Sequence, residues 1–132
     1  KGAIPQELRP LIGNRVYGCD DCQLACPWNR FAPASDEPDF AVRNGLDAAT
    51  LTDLFAWSEA EFHERLLGSP IHRIGYERWL RNIAVGLGNV PRDAAASARV
   101  QAVLRSRVNH ASELVREHVA WALARHATTI SA

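Results

Sequence analysis

The chain has 132 residues, is 47% hydrophobic, and balances 15 basic against 15 acidic side chains. That length and apolar content support one modest core; no apolar run approaches the roughly 18 residues of a membrane-spanning helix, and no charged, apolar and small-residue sequence marks a signal peptide. A cytoplasmic protein with no membrane partner is the expectation, and Lys1 in place of Met points to a longer polypeptide.

Pro5, Pro10, Gly13, Gly18, Pro27, Pro33 and Pro38 leave little room for a long element in the first 45 residues, which therefore read as loop with short turns. Something other than a large apolar core must order them. Residues 32–40, with two prolines and three acids, read as a connector. From Leu46 the pattern turns helical. Leu51, Leu54 and Phe55 fall at i, i+3 and i+4, and Ser58 followed by Glu61 is a capping box opening a second helix that ends at Gly68. Ser69-Pro70 then forces an extended step. A third helix carries Leu80, Ile83, Ala84 and Leu87, with Gly88-Asn89 available as its stop. A fourth follows Pro91 and Asp93, with Val100, Val103, Leu104 and Val108 as its apolar stripe and Arg99, Arg105 and Arg107 on the remaining surface. A fifth starts near Ser112 and buries Val115, Val119, Ala122 and Leu123.

The third and fifth helices align at an offset of 36 residues, Ile83-Ala84 with Val119-Ala120 and Leu87 with Leu123. Short paired helices at that period are the signature of solenoids of the HEAT kind, in which each pair buries its apolar face against its neighbours. The charge is split as well. Residues 1–68 hold six basic and eleven acidic groups, whereas residues 69–132 hold nine Arg and four acidic groups. The second half is therefore a candidate nucleic-acid surface, since a planar guanidinium pairs bidentately with phosphate; a pair of solvated faces is the plainer account.

Cys19, Cys22 and Cys26 form a C-x2-C-x3-C-P run. It matches the last three members of the bacterial two-cluster ferredoxin run, whose final cysteine ligates the other cluster. Cys19 and Cys22 are then assigned to one cluster and Cys26 to a second, with the five remaining thiolates of two clusters supplied from elsewhere. A structural zinc site of the Cys3His type, completed by His63, His72 or His110, is the alternative.

The stretches Ile4-Pro5-Gln6-Glu7-Leu8-Arg9-Pro10, Gly13-Asn14-Arg15-Val16-Tyr17-Gly18-Cys19-Asp20-Asp21-Cys22-Gln23 and Cys26-Pro27-Trp28-Asn29 resemble the epoxyqueuosine reductase family. Gly68-Ser69-Pro70-Ile71 and Ile74-Gly75-Tyr76-Glu77-Arg78-Trp79-Leu80-Arg81-Asn82 are similar to it too. The resemblance implies the C-terminal part of a tRNA-modifying oxidoreductase that uses cobalamin and two four-iron four-sulfur clusters to reduce an epoxide on the wobble base. It implies a mainly α fold, with residues 1–45 the end of a two-cluster ferredoxin-like module and residues 46–132 a HEAT-like helical domain. It also implies cluster ligation by Cys19, Cys22 and Cys26, backbone of Cys19 and Asp20 beside the cobalamin, an electron donor and tRNA as partners, and a monomer. The catalytic acid of the family lies upstream of the matched stretches, so this chain alone is expected to be inactive. Arg73, Arg78, Arg81 and Arg116 are the candidates for tRNA contact, because arginines on one side of a helical stack can neutralise phosphates while the apolar stripe packs inward. Trp28, Trp57, Trp79 and Trp121 could stack on bases, but at helical spacing they read first as core. His118, on an apolar stripe, reads as a core residue. The competing accounts are a corrinoid-dependent reductive dehalogenase or other ferredoxin-coupled oxidoreductase, and a HEAT-like interaction module with a zinc-bound cysteine loop.

Overall fold

A computed structural model of the chain describes residues 2–91 and 93–127. The described residues are mainly helical and contain no strand. In chain order the helices are α1 (Arg9–Ile12), α2 (Asp21–Ala25), α3 (Leu51–Ala56), α4 (Glu59–Leu66), α5 (Tyr76–Gly88), α6 (Ala94–Arg105) and α7 (Glu113–Ala127), with single 3-10 turns at Pro27–Phe31, Pro38–Phe40 and Pro70–Ile74.

Local chemistry sets the boundaries. Thr50 opens α3 and Ser58 opens α4, each accepting the N–H of the residue three positions on while the Asp53 or Glu61 carboxylate accepts the cap's own N–H. The Thr50 hydroxyl and then its N–H hold the Asp53 carboxyl below the usual carboxylate range, and the Ser58 N–H and then its hydroxyl do the same for Glu61. Asp93 caps α6 through the N–H of Ala96 at 2.8 Å. The turn at Pro70–Ile74 is bounded by Gly68 and Gly75, at φ 80° and 78°, conformations that a residue with a β carbon reaches only with strain.

The core forms where α5 and α7 pack together. Leu80, Ile83, Ala84 and Leu87 of α5 are buried against Val115, Val119 and Ala122 of α7, with Phe55, Phe62, Leu66, Val100 and Leu104 closing the sides. Buried positions on the two helices correspond at an offset of 35, Leu80, Ile83, Ala84 and Leu87 with Val115, His118, Val119 and Ala122, and three of them also at 36, Trp79, Ile83 and Gly86 with Val115, Val119 and Ala122. Ala120, which the 36-residue alignment pairs with Ala84, is exposed, whereas Val119 one position earlier is fully buried. Val108 lies in the turn after α6 and is exposed, and Leu123 is only half-buried.

Gly88 is the last residue of α5, and Asn89 ends the helix at φ −97°, ψ −3° without a left-handed cap. The glycine serves packing instead. A β carbon at Gly88 would lie 2.5 Å from Cζ3 of Trp121 and 3.1 Å from Cα of Ala122. Arg107 is not a solvated charge: its Nε and Nη2 donate to the carbonyls of Phe55 and Trp57 at 3.0 and 2.8 Å, and the guanidinium lies over the rings of Phe55 and Tyr76. It closes the C-terminal end of α3, where helix carbonyls lack partners.

Residues 2–16 are ordered by polar tethers from α5 and α7. Arg81 Nη1 donates to the Gly2 carbonyl at 2.6 Å, the Ile4 N–H donates to His118 Nε2 at 3.1 Å, and Asn82 Nδ2 donates to the Val16 carbonyl at 2.7 Å. Asn89 Nδ2 reaches the carbonyls of Arg9 and Gly13 at 2.8 and 2.9 Å. Arg9, 1% exposed, pairs with Glu117, donates to the Ile4 carbonyl at 2.8 Å and stacks on Trp121. The requirement that something other than an apolar core order this stretch is met by these side chains.

Candidate functional site

The cysteines occupy a tight turn built on two left-handed residues. Gly18 at φ 67° and Asp20 at φ 53° flank Cys19; for a non-glycine residue such as Asp20 that conformation costs roughly 1–2 kcal/mol. Asp20 is the N-cap of α2, and its carbonyl accepts the N–H groups of Gln23 and Leu24, both at 2.9 Å. Cys22 is the second residue of α2, and Cys26 ends it, donating its N–H to the Gln23 carbonyl at 3.3 Å. Arg15 braces the turn through Asp21 at 2.8 Å, and that bond raises the guanidinium's already high pKa. Asn29 donates to the Gln23 carbonyl and ties the Pro27–Phe31 turn back onto α2.

All three cysteines are free; Cys19 and Cys22 are exposed and Cys26 is half-buried. A five-residue helix is about 7 Å long, so Cys19 and Cys26 sit at its opposite ends. Among the described residues no three His, Cys, Asp or Glu side chains gather into a group able to hold one metal ion. The single-ion Cys3His alternative is therefore not assembled. His63 and His72 face each other, Nδ1 to Nε2, at 2.7 Å, and His110 Nδ1 accepts the Ser112 N–H at 3.1 Å. Around the turn the chain is apolar and uncovered: Leu24 is 83% and Trp28 75% exposed, and Phe31 and Phe40 are exposed as well.

The candidate arginines differ in how far they are committed. Arg73, in the Pro70–Ile74 turn, is exposed and has no hydrogen-bond or ion-pair partner among the described residues. Arg78 Nη1 donates to the Ile74 carbonyl at 2.7 Å, and Arg116 Nη1 donates to those of His110 and Ala111 at 2.6 and 2.7 Å. Arg81 is half-buried; burial, and then the neighbouring Arg78, lower its pKa. His110, whose ring lies 6.4 Å from that of Tyr76 at the start of α5, feels both Glu77 and Arg116, so the loop before α7 abuts the α5 end that carries Arg78. Burial and then Arg107 depress the pKa of His110.

Trp57 and Trp79 stack in the core at 5.8 Å between ring centroids, Trp121 is held between Arg9 and Arg125, and Trp28 is in the open. The residues that sequence reasoning missed are Asn82 and Asn89, which hold the N-terminal segment. The signal available was an amide side chain at either end of the apolar run Ile83–Gly88.

Fold and site together define an α-helical unit with a C-x2-C-x3-C-P turn tethered to a two-helix core. No family model matches the sequence. The chain is 65% identical over 125 residues to the epoxyqueuosine reductase of Xanthomonas campestris, covering 95% of this chain and 34% of that protein. It is 61% identical over 129 residues to the one from Pseudomonas aeruginosa, covering 98% and 35%, and 55% identical over 124 residues to the one from Escherichia coli, covering 94% and 31%. The chain is thus homologous to a C-terminal portion of epoxyqueuosine reductases and spans about a third of the length of the curated relatives it matches. Its fold matches a crystal structure of selenomethionine-labelled epoxyqueuosine reductase with a TM-score of 0.66 at 22% identity, over 96% of this chain and 41% of that one. It also matches a structure of that enzyme with an epoxyqueuosine-modified tRNA-Tyr stem loop, with a TM-score of 0.63 at 23% identity and the same coverage.

Proposed function

We propose that this chain is the part of an epoxyqueuosine reductase that supplies ligands for two four-iron four-sulfur clusters and a helical surface for tRNA, in an enzyme that reduces epoxyqueuosine to queuosine at the wobble position with cobalamin. The observation that carries the proposal is identity of 53–65% over nearly the whole chain, joined to a cysteine run of two-cluster spacing.

In this reading Cys19 and Cys22 would hold one cluster, Cys26 would contribute to the other, and the backbone at Cys19 and Asp20 would face the cobalamin. Clusters held by these thiolates would supply one-electron transfer from a donor to the cobalamin. The chain's own contribution is geometric. The left-handed pair Gly18 and Asp20 turns Cys19 outward from the helical layer, α2 sets the separation of Cys22 from Cys26, and Arg15 fixes the turn through Asp21. Arg73, Arg78, Arg81 and Arg116 face phosphates of the tRNA, and the chain without its upstream part is inactive.

Iron and acid-labile sulfide, measured on anaerobically purified full-length protein and on residues 1–132 alone, test the proposal. About eight irons in the full-length protein, and few or none in the isolated chain, are the expected result. Stoichiometric zinc with no sulfide in the full-length protein overturns it.

A further inference from the structure

We infer that Asn82 is the positioning residue of the cysteine turn and that Arg81 fixes the orientation of its amide. The Val16 carbonyl, three residues before Cys19, is the last backbone group ahead of the turn that the helical layer holds. From Tyr17 to Cys26 the hydrogen bonds of the described residues are local, made among Arg15, Asp20, Asp21, Gln23, Leu24, Cys26 and Asn29. Three residues of chain span at most about 10 Å, so the position of Cys19 is limited by where Val16 is fixed. Val16 also packs on the core with its side chain, and Asn82 adds the directional restraint.

The amide can face only one way. Arg81 Nε and Nη2 both donate to Asn82 Oδ1, at 3.0 and 2.9 Å, which leaves Nδ2 to donate to Val16 at 2.7 Å. A flipped amide would turn N–H groups toward the guanidinium and oxygen toward the carbonyl, losing three bonds at once. Arg81 is anchored in turn by the Gly2 carbonyl at 2.6 Å. Three of its five N–H donors are therefore used inside the chain, and two remain for a phosphate. A phosphate taken by these two N–H groups would pull on the same guanidinium that orients Asn82 and so reach the segment that leads to Cys19. This consequence rests on the ligation and tRNA roles proposed above, whereas the anchoring rests on the hydrogen bonds alone.

Asn82→Ala removes both sets of bonds. Asn82→Asp is isosteric, keeps an acceptor for Arg81 and replaces the donor to Val16 by an oxygen that the Val16 carbonyl repels. The experiment uses full-length protein with two readouts, the rate of tryptic cleavage after Arg15 and the electron paramagnetic resonance spectrum of the reduced protein at measured iron content. Both variants are expected to be cleaved after Arg15 about tenfold faster than wild type, with cleavage after Arg125 in the core unchanged, and to give an altered spectrum at wild-type iron content. Wild-type cleavage after Arg15 in both variants overturns the anchoring. Faster cleavage with an unaltered spectrum overturns the role toward the cysteines and leaves Asn82 a packing residue. Wild-type protein without iron overturns the ligation proposal and with it the role toward the cluster, while the cleavage rates still decide the anchoring.

Discussion

His118 is wholly buried, yet both its ring nitrogens are used. Nδ1 lies 2.8 Å from the Leu114 carbonyl, which can only accept, so Nδ1 carries the proton and Nε2 is free to accept the Ile4 N–H. That arrangement requires the neutral ring. Burial, the largest cause, depresses its pKa, and Arg9 and Arg81 act in the same direction, against the Leu114 bond and Glu117. A histidine whose folded pKa lies below its unfolded value contributes stability that is complete above about pH 6.5 and is lost as the pH falls through that value toward the folded pKa. Thermal midpoints should therefore drop between pH 7.5 and pH 5.5. His118→Leu should lower stability at pH 7.5 by about 1–3 kcal/mol, because the Ile4 N–H loses its acceptor, and should flatten the drop. The part due to His110, also depressed, remains. An unchanged slope in the variant would show that the Ile4 bond does not set the protonation state. The apolar spacing of α7 was enough to place His118 in the core. Its partner lies 114 residues away, and no local periodicity reports a contact at that distance; for the same reason Arg107 looked like a surface charge until its carbonyl partners were known.

At the scale of elements, the Ser58–Glu61 capping box and the 3.6-residue spacing made α3, α4 and α5 legible, because those signals are local, whereas the Thr50–Asp53 box of α3 emerged only in the structure. The register between α5 and α7 was not legible to the residue. An alignment by hydrophobicity accepts alanine at the exposed Ala120 as readily as at an interface, and it does not say where the two backbones approach. Gly88 marks that approach. Gly88→Ala should destabilise the protein by about 1–3 kcal/mol through overpacking against Trp121 and the Ala122 backbone. Gly86→Ala is the control. Its β carbon would meet Leu51 Cδ1 at 3.0 Å, the end of a flexible side chain, and the gain in helix propensity of about 1 kcal/mol offsets that contact. Chemical denaturation of the two variants should thus separate by more than 1 kcal/mol, and equal midpoints would mean that α5 and α7 can slide apart without cost.

For the molecule as a whole, the division of charge seen in the sequence acquires a structural counterpart. The acidic half contains the exposed turns around the cysteines, and the arginine-rich half is the helical layer that anchors residues 2–16. The spacing of the cysteines is visible in the sequence itself, but the anchoring was not legible, since backbone carbonyls carry no sequence signal. The four candidate arginines divide into Arg78, Arg81 and Arg116, already bonded to carbonyls, and Arg73, which has no such partner among the described residues. Removing a bonded arginine disturbs folding and binding together, so Arg73 offers the clean measurement. If it neutralises one phosphate of a bound stem loop, Arg73→Ala should weaken binding uniformly and reduce the slope of log K against log salt by about 0.7–0.9, with the thermal midpoint unchanged. Arg116→Ala should reduce the slope by a similar amount and also lower the midpoint, because the carbonyls of His110 and Ala111 lose their donor. Titration of the full-length protein with a tRNA anticodon stem loop between 50 and 200 mM salt, a range over which such slopes resolve single phosphate contacts, separates the two cases. A slope unaffected by Arg73→Ala would place the phosphates on another face of the helical layer.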